Sequence, residues 1–475
     1  MLARYFEFDR YGTTLTTEIR AGVTTFLTMA YIIVVNPAIL AAAGIPRGPS
    51  TVATIIAAVI GTLLMGLYAK RPIAIAPYMG ENAFIAFTVC SPALLGASWQ
   101  TALGAVFIGG VLFVIITALR LRGWLAEAVP RNLKYAFVVG IGMFLAFIGL
   151  VDTQIVSLPG ILNILNNPGM AADVKIGILQ GSFFGASPPP PVQMGSLLNP
   201  SVLLSLLCLV SMVGLMILNV RGAILISIIG ITALSLILKA FGLEIPGVAL
   251  PDRVFSGWAD IKGIKEIAFQ LDVLGALKLS FIPVLLTVFL MDFVDTMGTL
   301  IGVSARAGFL DEEGNLPDIH KPMMADAIAT VAGALAGTST TGSYIESAAG
   351  IEEGGRTGLT SVVTAILFAL ALLFAPLLTI VPQCAYGPAL IVVGILMIGA
   401  VKEIDFEDMT ELFPAFMTIV LMIFTYNLGI GITAGFVFYP ITKLIGGRIR
   451  EVKSGAWVLF GISAIFYVLY AFTFQ

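Results

Sequence analysis

Asp292 and Asp295 stand three residues apart in FLMDFVDTMGT (289–299), inside a stretch that is otherwise apolar. On a helix that spacing puts both carboxylates on one face. Glu346 follows the run Gly337 to Ser343, rich in hydroxyls and with Gly342 near its end, and Asn82 follows Pro77 and Gly80 in the same way. An acid at the centre of a bilayer costs at least about 2.5 kcal/mol on insertion scales, so it faces a bundle interior or a wet cavity and is read first as functional. Burial and a neighbouring carboxylate both disfavour the charged form, so these acids can hold a proton. They can also accept hydrogen bonds from the N–H groups of a planar polar ligand. Glycines and hydroxyls permit extended backbone before a half-helix begins, and such backbone is tolerated at membrane depth only where it is buried in protein or lines a cavity. Two half-helix N-termini would aim free N–H groups at that cavity. Together these features suit a proton-coupled carrier of a neutral solute rich in donors. An anion carrier would want Lys or Arg at the half-helix ends, and the bases here lie outside the apolar segments.

Other polar residues have plainer readings. Asp326 lies near the start of its apolar segment and is expected to cap or pair there. Glu352 and Glu353, beside Arg356, read as a solvated end. Glu81 fits a carboxylate at a helix start as well as a functional acid, and Asp292 could simply bond a neighbouring helix. His320, the only histidine, sits in the polar stretch DEEGNLPDIHKP and reads as a surface loop residue. Phe84 and Phe87 are placed to stack on a flat ring. Cys90, Cys208 and Cys384 lack metal-type spacing and read as structural thiols.

The elements that must position these groups are membrane spans. The 475 residues are 58% hydrophobic and 11% charged, against about 25% charged in soluble domains. A span needs roughly 20 apolar residues, and such segments fall at 22–43, 50–68, 74–91, 100–119, 133–151, 199–218, 222–241, 274–303, 322–337, 341–353, 358–381, 386–401, 413–426 and 428–446. A fifteenth, 455–473, is an extra span or a helix lying against the bundle. Lys and Arg concentrate in alternate short loops, which puts the N-terminus on the cytoplasmic side. The net charge of −3 is scattered and excludes nucleic-acid binding. The first residues have no secretory cleavage pattern. Of the longer connections, 152–198 carries Pro188 to Pro191 and reads as a stiff cap. The stretches 122–134 and 402–414 look amphipathic, interfacial and lever-like.

Segments 3 and 10, the third of each half, are the short interrupted ones. Matching broken segments in two halves are the best pointer to a transport site, and seven spans per half require inverted topology. The fold expected is an all-α polytopic membrane protein with about 14 segments in two inverted seven-segment repeats.

The stretches GTTLTTEIRAGVTTFLTMAYIIVVNPAIL (12–40), GENAFIAFTV (80–89), FLMDFVDTMGTLIGV (289–303) and TGSYIESAAGIEEGGRTGLTSVV (341–363), in this order, resemble the AzgA-like purine permeases of the nucleobase:cation symporter-2, or nucleobase–ascorbate, transporters. The resemblance runs over essentially the whole chain. It implies a core domain of segments 1–4 and 8–11 (1–131 and 273–384), and a gate domain of segments 5–7 and 12–14 (132–272 and 385–475). It further implies dimerisation through the gate, elevator-type movement of the core, and inward proton symport of hypoxanthine, guanine or adenine across the inner membrane. Carried over by position, the substrate-binding residues would be Asn82, Ala83, Phe84, Asp295, Gly342, Ser343 and Glu346, and the proton-coupling residues Asp292, Asp295 and Glu346. No catalytic residue, metal or cofactor is expected, the coupling ion being H+. The partners are purine, lipid and a second copy of the chain. Glu81 departs from the usual Gly-Leu-Asn of this motif. The alternatives from other classes are a sulfate- or bicarbonate-type anion carrier of the related fold and a membrane-embedded acid-pair hydrolase.

Overall fold

The computed structural model describes residues 2–92, 95–119, 129–157, 192–243, 245, 248, 263–311 and 316–473, of which 280 and 469–473 by backbone only. Pro188 to Pro191, residues 122–128 and most of the two long connections lie outside them.

The apolar runs form helices that begin where polar side chains can cap them. Thr14 accepts from the Thr17 amide ahead of Leu15–Met29, Ser98 from Thr101 ahead of Trp99–Ala118, and Asn427 from Ile430 ahead of Leu428–Ile445. Asn199 caps Pro200–Ile217, where a proline fits the first turn because its missing N–H has no intrahelical partner to lose. Among the described residues, ten helices are long and apolar enough to cross a membrane. Segments 9, 13 and the C-terminal run also form helices, at His320–Ala336, Met409–Phe424 and Ser454–Thr473. The last packs against segments 8 and 14, and its Tyr467 hydroxyl donates to Ile430 O at 2.8 Å. The stretch 402–414 is divided between the end of a 3₁₀ turn, Gly399–Glu403, and the start of the segment 13 helix.

Helices pack in two groups. Segment 2 packs on 1, 9 and 11, and segment 4 on 8 and 9; segment 5 packs on 12 and 13, segment 6 on 7 and 12, and segment 13 on 14. Segments 3 and 10 break where the sequence is richest in glycine, proline and hydroxyls. Each enters as a three-residue strand, Ile75–Pro77 and Thr341–Ser343, and continues as a short helix, Met79–Phe84 and Ser347–Glu352. The two strands pair antiparallel, with Ile75 opposite Ser343, Ala76 opposite Gly342 and Pro77 opposite Thr341. Each broken segment thus satisfies the other's main chain inside the bundle. The pairing is head to tail, as two inverted repeats require.

Candidate functional site

The strand crossing is built by residues that share a position in the two halves. Tyr78 follows Pro77 and Tyr344 follows Ser343. Their rings stack at 6.2 Å with planes 14° apart. The Tyr78 hydroxyl donates to Ser343 O at 3.2 Å, and the Tyr344 hydroxyl to Pro77 O at 2.5 Å. Each tyrosine therefore closes the other's strand. Gly342 is required here by space: a Cβ would lie 1.9 Å from the Tyr78 ring. Gly337, which ends segment 9 with φ of +97°, occupies backbone that favours glycine.

Five acids surround the crossing. Glu346, at the start of its half-helix, is partly exposed, and its Oε1 accepts from the Tyr31 hydroxyl at 2.5 Å. Tyr31 stands where segment 1 is interrupted, between Leu15–Met29 and Ile32–Ala41. Asp295 is also partly exposed, on a helix face continued by the exposed Gly298 and Gly302, where a Cβ would meet nothing within 4 Å. Asp292, one turn away, is buried and accepts from Thr330 Oγ1 at 3.2 Å. That threonine also accepts from the Thr341 amide at 3.2 Å, tying segments 8, 9 and 10 together. Asp326 is fully buried, and its Oδ2 accepts from both the Ser343 amide and hydroxyl at 3.3 Å. Glu81, fully buried, completes the set. Among the described residues the only buried base is Lys443, in the last turn of the segment 14 helix Leu428–Ile445.

Of the residues singled out from sequence, Asp295, on the continuous helix Ile282–Ala307 of segment 8, and Glu346, at the half-helix start of broken segment 10, stand partly exposed. Gly342 and Ser343 form the strand itself. Ala83 and Phe84 are buried in the core, whereas Phe87 is partly exposed. Asn82 is buried, and its amide donates to Asn36, which donates in turn to Thr54 Oγ1 at 2.7 Å and Thr338 Oγ1 at 3.0 Å. This chain pins the half-helix of segment 3 to segments 1, 2 and 10.

Three expectations need correction. Asp326 does not cap its helix; it fixes the strand of segment 10, because the extended tripeptide reaches across to the second turn of segment 9. Glu353 is not a solvated end: only 12% exposed, it pairs with Arg20 at 3.0 Å and with Arg221. Glu352 is exposed and pairs with Arg306 at 3.2 Å. His320 opens the segment 9 helix, half-buried, rather than sitting in a loop. The three cysteines are buried and free. Sequence reasoning missed Tyr31, Asn36, Tyr78, Thr330 and Tyr344. The signal for Asn36 was available, a lone amide before proline in IVVNPAIL, and so was the matched placement of the tyrosines.

A cavity of about 870 Å³ opens at the end that carries Arg131, Lys402 and Arg448, between segments 8 and 9 and segments 5 and 14. Met297 and Ile301 line it, two and six residues beyond Asp295; neither Asp295 nor Glu346 is in its lining. At its rim Lys443, 1% exposed, contacts Glu411 at 2.8 Å and Glu451 at 2.9 Å. Asp408 caps Met409–Phe424 there, accepting from the Thr410 hydroxyl at 2.7 Å and amide at 2.9 Å and pairing with Arg448 at 2.5 Å. Those bonds, the Thr410 hydroxyl foremost, hold its carboxyl down at about 2.

Chemically, the crossing offers partly exposed carboxylates, main-chain amides at two helix starts and two tyrosine rings, with no cation beside them among the described residues. It suits a neutral molecule with N–H donors better than an anion.

Residues 16–167 and 169–438 match the family model Xan_ur_permease, described as a permease family. A permease of Methanocaldococcus jannaschii is 43% identical over 98% of this chain and 96% of its own length. The guanine/hypoxanthine permease PbuO of Bacillus subtilis is 40% identical over 94% and 96%. The adenine permease AdeQ of Escherichia coli is 37% identical over 98% and 96%. Among solved structures, the transmembrane domain of a cyanobacterial bicarbonate transporter, BicA, aligns with a TM-score of 0.61 at 17% identity, covering 89% of this chain and 97% of that one. SLC26A9 aligns with a TM-score of 0.60 at 12% identity, covering 91% and 66%. At these identities the likeness concerns the fold alone.

Proposed function

The chain belongs to the Xan_ur_permease family of permeases, and from that premise we propose that it imports purine nucleobases across the inner membrane by proton symport. The observation that carries the reading is the ring of acids around the paired strands, with no base beside it among the described residues. The relatives named as guanine/hypoxanthine and adenine permeases support the purine class. Likeness to a bicarbonate transporter at 17% identity adds nothing for an anion.

In this mechanism Asp295 and Glu346 accept ring and exocyclic N–H groups. Main-chain amides at the starts of the two half-helices donate to ring nitrogens or the carbonyl. Asn82, Ala83, Phe84, Gly342 and Ser343 shape the floor on which the base lies, Asn82 by holding its half-helix through Asn36. A base with a different edge would leave a buried polar group unpaired, at about 1–3 kcal/mol each, which gives selectivity. Protonation of Asp292, Asp295 or Glu346 couples transport to the gradient. Segments 1–4 with 8–11 move as the core against segments 5–7 with 12–14, the gate through which two copies associate. The N-terminus is cytoplasmic. Uptake of radiolabelled hypoxanthine, guanine, adenine and uracil into vesicles of purified protein tests the reading: a purine should accumulate and uracil should not. Sulfate or bicarbonate flux without purine uptake would replace it with the anion carrier.

A further inference from the structure

Glu81 is used by no contact described so far. It is fully buried, and neither carboxylate oxygen has a hydrogen-bond partner among the other described residues; its own main-chain amide also acts on it. Glu81 lies in the first turn of its helix, Met79–Phe84, whose N-cap residue Tyr78 makes no side-chain cap bond. An ionised carboxylate in such a place is prohibitively costly, whereas the neutral acid is tolerated. The groups that act on it electrostatically are Asp295 and Asp292 of segment 8, Asp326 of segment 9, Tyr78 of its own segment and Tyr344 of segment 10. No base is among them.

We propose that Glu81 is a proton-binding residue of the transport site, with Asp295 as its port to solvent. Asp295 is partly exposed and Glu81 is not, so a proton reaching Asp295 from solvent can pass inward to Glu81. The transfer moves one proton between two carboxyl oxygens: Asp295 becomes the carboxylate and Glu81 the neutral acid. Asp295 is then free to accept an N–H of the substrate while the proton travels beside it. Outward transfer reverses the step. This rests on the symport reading above and adds to it where the proton is stored during the crossing.

The test compares wild type, Glu81→Gln and Glu81→Asp in proteoliposomes, with two readouts. The first is exchange of labelled purine for unlabelled purine inside, which needs no proton coupling. The second is accumulation driven by an inward proton gradient. Glutamine mimics the neutral acid but cannot release a proton. Exchange should stay within about twofold of wild type, while driven accumulation falls at least tenfold and loses its pH dependence. Glu81→Asp should keep driven accumulation with a shifted pH midpoint, and it serves alone if the glutamine variant does not assemble. Driven accumulation by Glu81→Gln with the wild-type pH profile overturns the proposal, as does an unshifted profile in Glu81→Asp. If the wild type itself exchanges purine but never accumulates it, the symport reading has failed instead.

Discussion

Tyr78 and Tyr344 close each other's strands: each donates its hydroxyl to a carbonyl of the opposite broken segment while their rings stack at 6.2 Å. The pair holds the two half-helices at a fixed spacing, so losing either bond should loosen the crossing. Tyr78→Phe and Tyr344→Phe each leave a buried carbonyl unpaired and should cost about 1–3 kcal/mol. The double variant should lose less than the sum, with a coupling of at least about 0.5 kcal/mol. Thermal unfolding of the four proteins in detergent measures the cycle; strict additivity would mean that the tyrosines act independently.

Gly342 tests the same crossing by volume. Gly342→Ala puts a Cβ 1.9 Å from the Tyr78 ring, and overpacking of this kind costs about 1–3 kcal/mol or more. Gly298→Ala, on the open face of segment 8, meets nothing within 4 Å and should leave stability unchanged or raise it by up to about 1 kcal/mol, since alanine is the better helix former. The midpoints of the two variants should therefore separate clearly, and equal midpoints would count against this packing.

Much of this was legible in the sequence. Asp295, Glu346 and the two broken segments stand out because a carboxylate or a glycine-rich run inside an apolar segment has few other uses. The helices follow from the length of their apolar runs. What remained hidden depends on which distant atoms meet. Asp326 looks like an end residue because Lys321 and Pro322 precede it closely, and nothing local says that an extended tripeptide from segment 10 will reach it. Lys443 reads as one more cytoplasmic base, yet it is buried against Glu411 and Glu451. Glu18 reads as part of a polar leader, but is buried and accepts from the Arg356 and Thr357 amides and the Thr360 hydroxyl at 3.0, 3.3 and 2.6 Å. It joins segment 1 to the start of segment 11, a contact across more than 300 residues.

Glu346 is held by Tyr31 at 2.5 Å, which orients its carboxyl. Glu346→Ala should abolish purine uptake while the protein still reaches the membrane. Tyr31→Phe removes a hydrogen bond to a group that can be charged, worth about 1.5–3 kcal/mol, and should lower purine affinity at least about tenfold. Normal uptake by Glu346→Ala would remove this acid from the site.

Asp408 sets a pH dependence at the rim. Its carboxyl is held at about 2 in the folded protein by Thr410, Arg448 and Lys443, below the value of about 3.9 in an unfolded chain. The stabilisation is therefore fully present above pH of about 4 and is lost as pH falls toward 2. Asp408→Asn retains a capping side chain but not the charge. Its unfolding midpoint should lie below wild type at neutral pH, and the gap should close between about pH 4 and 2. A gap independent of pH would assign the effect to packing.

The most direct test of the central claim, that acids at the crossed strands carry base and proton together, is purine-driven proton movement. Proteoliposomes holding a pH-sensitive dye would receive hypoxanthine, guanine or adenine outside with no imposed gradient. The account predicts that one of these acidifies the lumen in wild type and none does so in Glu346→Ala. Purine entry without luminal acidification would contradict it.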